Sequence, residues 1–378
     1  MKWFWISSLL IFLVACEING TENVEDHGTG HGEGKQPDHV EATTDHEGYI
    51  DSFENVTTEN WTVEIIAENL NIPWNIRVSD DKFFIPEREG MIALIENGDL
   101  TRQEFITSDE IVHEGEGGLL GMVLTDDFQQ TREAILYYTY RDQNGLLANK
   151  VVKARHHDDV WEETDVLLDE IPGDRIHNGG RIEIGPDDYL YVTTGDANDP
   201  NVAQEPRNLA GKILRMTLEG EIPEEQPFEN SYVYSYGHRN PQGLAWNEAG
   251  ELYSSEHGPV GHDEINVIEA GKNYGWPNII GDEEAEGMEN PLVHSGDDTW
   301  APSGITFFED ELFVTGLRGE SLYWLNEEER KLEVVFEGEG RLRDVISYQG
   351  SLFVITNNTD GRGTPRENDD KLLKLTLE

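Results

Sequence analysis

The chain has 378 residues and sets 77 acidic side chains against 27 basic ones, a formal net charge of −50 at pH 7. A surface this acidic repels nucleic-acid phosphates, which removes nucleic-acid binding from the functions to consider. Its single cysteine, Cys16, excludes an internal disulfide, a Cys-based metal centre and a Cys-x-x-Cys redox motif.

Residues 1–15 carry one lysine and an apolar run too short for a comfortable membrane span, which reads as a secretory leader. The run ends Leu13-Val14-Ala15-Cys16, which resembles the bacterial lipoprotein cleavage box. The expectation is an exported protein, lipid-anchored through Cys16 to the outer face of a bacterial membrane. Residues 16–55 are rich in Gly, Glu, Asp, Thr and His and nearly free of large apolar side chains. Such a segment buries too little surface to fold and reads as a flexible tether. Its His27, His31, His39 and His46 are read as solvated residues rather than metal ligands.

Residues 56–378 read as one domain. An apolar strand, an Asp/Gly/Asn turn and an apolar or aromatic pair recur six times. The pairs are Phe83-Phe84, Leu136-Tyr137, Leu190-Tyr191, Leu252-Tyr253, Leu312-Phe313 and Leu352-Phe353. Their spacing of roughly 40–60 residues is the period of a propeller blade, and the expected architecture is all-β, a six-bladed β-propeller. Trp61 to Ala67 and Lys371 to Leu377 add one strand at each end, placed to close the ring.

The hairpin around residue 187 shows what this topology does. Arg181 to Ile184, the turn Gly185-Pro186-Asp187-Asp188 and Tyr189 to Thr193 form an antiparallel pair. The start of the first strand then lies beside the end of the second, so His177 and Asp196 share one sheet edge. A His beside a carboxylate is a general base with an orienting partner, although a turn cap and a strand end would satisfy the same pattern. In every blade the unusual residues fall at this end. Trp74, Glu116, His177, the run 237–243, Trp300 and Arg341 precede first strands. Arg88, Asp196, Glu256 to Pro259, Arg318 and Asn358 follow second strands. If the first strand of each hairpin is innermost, these residues ring one mouth of the central channel. Arg341 and Arg343, two apart on a strand, point to one face and repel unless an anion or a carboxylate lies between them.

Eight motifs in order carry a family resemblance: G-E-G-G-L-L-G at 115–121, H-N-G-G-R at 177–181, L-Y-V-T-T-G-D at 190–196, G-H-R-N-P-Q-G at 237–243, E-H-G-P at 256–259, D-E-I-N-V-I-E-A-G-K-N-Y-G-W-P at 263–277, G-L-R at 316–318 and R-L-R-D-V at 341–345. The stretch from about residue 61 resembles the soluble quinoprotein glucose/sorbosone dehydrogenases, six-bladed propellers that bind pyrroloquinoline quinone (PQQ) and calcium. It looks closest to their aldose sugar dehydrogenase branch. The resemblance implies an oxidoreductase acting on CH–OH donors, which converts aldoses to lactones and passes electrons to an unidentified acceptor. It makes His177 the base, Asp196 its orienting partner and Arg239 the group that stabilises charge on the quinone. Asn240, Glu116, Arg318, Arg341 and Arg343 fall at cofactor-binding positions. Backbone oxygens of Gly258 and Pro259 would hold one calcium ion, with a second near Glu264 and Tyr274. Three features depart from the pattern: Glu116 stands where glucose-specific members have Gln, and Arg318 where some have Lys. The short acidic segment 281–287 supplies no aromatic wall, leaving Trp300 as the candidate. The competing reading is a non-catalytic propeller that binds carbohydrate or a protein partner at the same rim.

Overall fold

The structure, a computed structural model, describes residues 53–378. The leader, Cys16 and all but the last three residues of the stretch read as tether lie outside the described residues. Phe53, near the end of that stretch, is buried and meets Phe313 edge-on at 4.9 Å.

Strands are built from the expected hairpins. The second strand of each is buried along its length, as in Leu190–Thr194 and Ser351–Thr356, because a neighbouring blade covers each face. The outermost strand Asp99–Ile106 is mostly exposed, burying Gln103 and Phe105. Tight turns at the far end use consecutive left-handed residues, Asp80-Asp81 and Glu309-Asp310.

Four four-stranded antiparallel sheets and one eight-stranded sheet make up the ring. The eight-stranded sheet is two blades joined at their outer edges, where Asp99–Ile106 runs parallel to Val160–Pro172 and pairs Phe105 with Trp161. The repeat therefore gives six blades. Their first strands, Arg77–Ser79, Leu119–Leu124, Ile182–Ile184, Pro241–Trp246, Pro302–Phe308 and Leu342–Tyr348, lie innermost. Trp61–Ala67 pairs antiparallel with Leu372–Leu377, Trp61 opposite Leu377, so the first strand of the chain completes the last blade.

The recurring aromatic of the second strand is the contact between blades. Tyr191 meets Trp246 at 5.1 Å, Tyr253 meets Phe307 at 5.3 Å and Phe353 meets Phe83 at 4.9 Å, each pair spanning adjacent blades in tilted or edge-to-face geometry. Inside the channel, Arg181 bridges to Asp344 at 3.0 Å, both fully buried. The other oxygen of Asp344 accepts from Asn75 Nδ2 and the Ile76 amide, at 2.8 and 2.7 Å. Three blades are thereby tied across the axis just below the rim that carries the site.

Candidate active site

His177 sits in a left-handed backbone conformation, φ +57°, in the loop that enters the third blade. The loop presses directly on the strand beside it. A Cβ at Gly179, itself at φ +62°, would come within 2.5 Å of the Thr193 carbonyl. The hairpin register then delivers the expected pair. His177 Nδ1–H donates to Asp196 Oδ1 at 2.7 Å, and Asp196 is fully buried. A proton on Nδ1 leaves the Nε2 lone pair for a substrate proton. The second Asp196 oxygen accepts from the Trp276 indole N–H at 2.8 Å.

The fourth blade brings Arg239 and Asn240 to the same place. The Arg239 carbonyl accepts the Asp196 amide at 2.8 Å. Asn240 Oδ1 accepts the Gly179 amide at 3.0 Å, fastening the His177 loop to this blade. Glu256 organises the segment from below: it accepts from His238 Nδ1 at 2.9 Å, from the Asn240 amide at 3.2 Å and from the Arg239 amide. His238 is enclosed by Ser235, Glu256 and the Tyr274 ring, on which it stacks at 4.9 Å, so it is a structural residue and not a second base. The Arg239 guanidinium donates to the His257 carbonyl at 3.2 Å and lies over the Trp276 ring, 5.4 Å from its centroid. Burial lowers its pKa against the opposing pull of Asp196 and Glu256.

A narrow cavity opens at this mouth of the channel, bordered by Arg88, Glu116, His257, Arg343, Asp360 and Arg362. Arg343 is buried, donating to Gln242 Oε1 at 2.9 Å and Ser303 Oγ at 3.3 Å. It has no carboxylate partner among the described residues. Burial pushes it down to about 9, opposed by Asp360, so it remains a cation at neutral pH. Arg88 falls to about 10 for the same reason and donates to the Gly115 and Gly117 carbonyls. Arg341, two residues from Arg343, is instead held by Asp360 at 2.9 Å and by the Leu317 and Asn357 carbonyls, an internal salt bridge. Burial would raise the Glu116 carboxyl, but the charge of Arg362, the His177 amide and His257 bring it down to about 2. Its oxygens accept from the His177 amide at 2.9 Å and Arg362 at 2.8 Å. In a protein of net charge −50 this mouth holds an excess of guanidinium. Two of its buried N–H donors, Arg239 Nε and Arg343 Nε, have no protein acceptor. That donor set suits a ligand carrying several carboxylates.

Other expected residues stand apart. Arg318 is exposed, makes no ion pair among the described residues and does not border the cavity. Trp300 leans on Tyr323 at 6.3 Å, and its carbonyl accepts the Arg318 and Gly319 amides. It too is absent from the cavity wall. The aromatic beside the His177 pair is Trp276. The Gly258 amide donates to Asp263 Oδ1 at 2.9 Å, while Asp263 Oδ2 accepts the Trp300 and Ala301 amides, so Asp263 shapes the loop that carries Gly258 and Pro259. Burial and the neighbouring Glu256 raise Glu264 to about 8, the electrostatics of a carboxylate crowded by like charge. The Tyr274 amide donates to the Tyr236 carbonyl and its hydroxyl to that of Val267. Among the described residues no three His, Cys, Asp or Glu side chains converge as a metal centre.

Residue spacing put Arg88 and Glu256 at this rim without giving them a role, and it missed Trp276 and Arg362 as parts of the site. Trp276 stands within the motif at 263–277, so only its direction of approach was hidden. Arg362 reaches Glu116 across 246 positions, and no local pattern announces it.

A one-sided cluster of this kind on a six-bladed ring, with a His–Asp pair beside an arginine-rich cavity, defines a propeller with an enzyme-like centre for an anionic ligand. The family profile described as Glucose / Sorbosone dehydrogenase matches residues 70–373. The aldose sugar dehydrogenase of Escherichia coli (strain K12) is 30% identical over 343 residues, 79% of this chain and 91% of that protein. The quinoprotein glucose dehydrogenase B of Acinetobacter calcoaceticus is 33% identical over 268 residues, 62% of this chain and 56% of that one. Among solved structures, the PQQ-bound form of the aldose sugar dehydrogenase from Streptomyces coelicolor is 36% identical with a TM-score of 0.77, covering 84% of this chain and 98% of its own. The chain belongs to the glucose/sorbosone dehydrogenase family.

Proposed function

We propose that the protein is a PQQ- and calcium-dependent dehydrogenase that oxidises the C1 hydroxyl of an aldose to the lactone. The observation that carries this reading is the buried His177–Asp196 pair, with Arg239 against it, beside a cavity bordered by Arg88, Arg343 and Arg362, where Arg239 Nε and Arg343 Nε remain unspent as donors. PQQ, when bound, supplies the two-electron acceptor for the C1 hydrogen and its electron pair. The chain's own residues do the rest. His177 Nε2 takes the C1 hydroxyl proton while Asp196 holds Nδ1–H and stabilises the imidazolium that forms. Arg343, with Arg88 and Arg362, would hold the cofactor's carboxylates as planar forks. Arg239, a cation fixed before reaction, would stabilise negative charge developing on the bound quinone. Asn240 and Glu116 keep the His177 loop from shifting. Backbone oxygens of Gly258 and Pro259 would hold one calcium ion, and the crowded Glu264 carboxylate with the Tyr274 backbone a second. The electron acceptor is a separate partner that reoxidises the cofactor.

Incubating the protein with PQQ and Ca2+ and supplying an aldose with a redox dye tests the reading. Dye reduction is expected, and His177→Ala should lower kcat by about 10²–10⁴ while leaving the PQQ-induced rise in melting temperature intact. Absence of both dye reduction and any melting shift with PQQ would overturn it.

A further inference from the structure

The segment Asn273 to Pro277 crosses from the fourth blade to the edge of the site and carries an indole no other role accounts for. The Trp276 side chain touches two of the three residues assigned to the reaction. Its N–H donates to Asp196 Oδ2 at 2.8 Å, and its ring lies under the Arg239 guanidinium at 5.4 Å. Asp196 therefore divides its oxygens: Oδ1 faces His177 Nδ1 and the Asn198 amide, at 2.7 and 2.9 Å, and Oδ2 faces the indole. A carboxylate held only at Oδ1 could swing about its Cβ–Cγ bond and carry the imidazole with it. The bond at Oδ2 stops that rotation.

The indole is itself held. The Trp276 amide donates to the Gly237 carbonyl at 2.9 Å, and its carbonyl accepts from Gln204 Nε2 at 2.7 Å. Gln204 also exchanges two bonds with the Asn273 amide group, at 3.0 and 2.9 Å. Gln204 lies on the short 3-10 turn Pro200–Gln204, whose Val202 and Ala203 carbonyls are capped by the buried Lys212 ammonium at 3.0 and 3.1 Å. A chain of satisfied polar contacts thus runs from the third blade through Gln204 and Trp276 to Asp196.

We propose that Trp276 is a positioning residue for the oxidation, fixing the Asp196 carboxylate so that His177 presents Nε2 in one orientation, and fixing Arg239 by its ring face. This rests on the assignment of His177 as the base, and its test separates the two. Trp276→Phe keeps an aromatic ring for Arg239 and removes the N–H, while Gln204→Leu leaves the whole indole in place. In the PQQ-loaded enzyme, kcat is expected to fall about tenfold with KM for the sugar changed less than about twofold. The loss should vanish against an Asp196→Asn background, because the two changes act through one carboxylate. In the protein without PQQ, hydrogen exchange of the His177 Nδ1–H, followed by NMR of the imidazole, should be at least about fivefold faster in Trp276→Phe. If Trp276→Phe fails to fold, Gln204→Leu, which frees the Trp276 carbonyl and leaves the indole, is expected to show the same signature at about threefold. Unchanged imidazole exchange, or a kcat loss that adds in full to that of Asp196→Asn, overturns the proposal. A wild-type protein without dehydrogenase activity would instead sink the functional reading, while the exchange measurement still decides whether Trp276 holds the pair.

Discussion

Glu116 shows how one charge can serve both fold and site. Its carboxyl titrates at about 2 in the fold against an ordinary 4.5, because the Arg362 charge and the His177 amide outweigh burial. A folded pKa below the unfolded one contributes stability in full above about pH 4.5, lost as pH falls through about 2. Glu116→Gln should therefore cost on the order of 1–3 kcal/mol at pH 7 in urea unfolding, and the gap between variant and wild type should close between pH 4.5 and 2. Much of this residue-level chemistry was legible beforehand. His177 and Asp196 are neighbours by hairpin register, and Asn240 is bound to the Gly179 amide in the loop they share. The Arg341 and Arg343 pair was legible only as a choice between an anion and an internal carboxylate. The structure divides it, since Asp360 takes Arg341 and leaves Arg343 without one. What spacing could not show is approach from another blade. The Trp276 indole reaches Asp196 across 80 positions, and only the closed ring brings them together.

Among the elements, the loop from Asp199 to Lys212 depends on one buried ammonium. Lys212 Nζ donates to the Val202, Ala203 and Ala210 carbonyls and sits out of solvent. Burial pushes its pKa down to about 7 from 10.5, with Glu205 opposing. Between pH 7 and 10.5 the unfolded chain holds a proton that the fold does not, so this group makes stability rise with pH across that window. Lys212→Met strands the three carbonyls and removes the titration. The variant is expected to be less stable by about 2 kcal/mol at pH 9.5, and because only the wild type loses stability as pH falls, the gap should close and reverse by pH 7, measured by urea unfolding at both. At this scale the blade hairpins were legible because period-two burial and turn chemistry are local signals. The parallel seam between the first two blades was not. Phe105 and Trp161 each look like an ordinary outer-strand aromatic, and only Trp161 Nε1–H donating to Gln103 Oε1 at 2.8 Å marks them as partners.

For the whole molecule the decisive feature is that both ends of the ring are stitched into one blade. Trp61–Ala67 supplies the outer strand against Leu372–Leu377, and the innermost strand of that blade is Leu342–Tyr348, which carries Arg343. The closing strand and the Arg343 side of the cavity therefore belong to one blade. A chain begun at residue 68 loses this strand, together with the Trp61 N–H bond to the Val335 carbonyl at 3.0 Å and the Phe53 contacts on the fifth blade. It exposes Leu372–Leu377 as an unpaired edge, open to pairing with other chains. The expected outcome is a melting temperature lower by more than about 10 °C, with association at micromolar concentration. Because pairing across more than three hundred positions is slow to form but needs no peptide bond to persist, a synthetic peptide of residues 53–67 should restore much of the loss. A truncated chain that melts as the full one does, and stays monomeric, would mean that the ring is held by the contacts between blades alone.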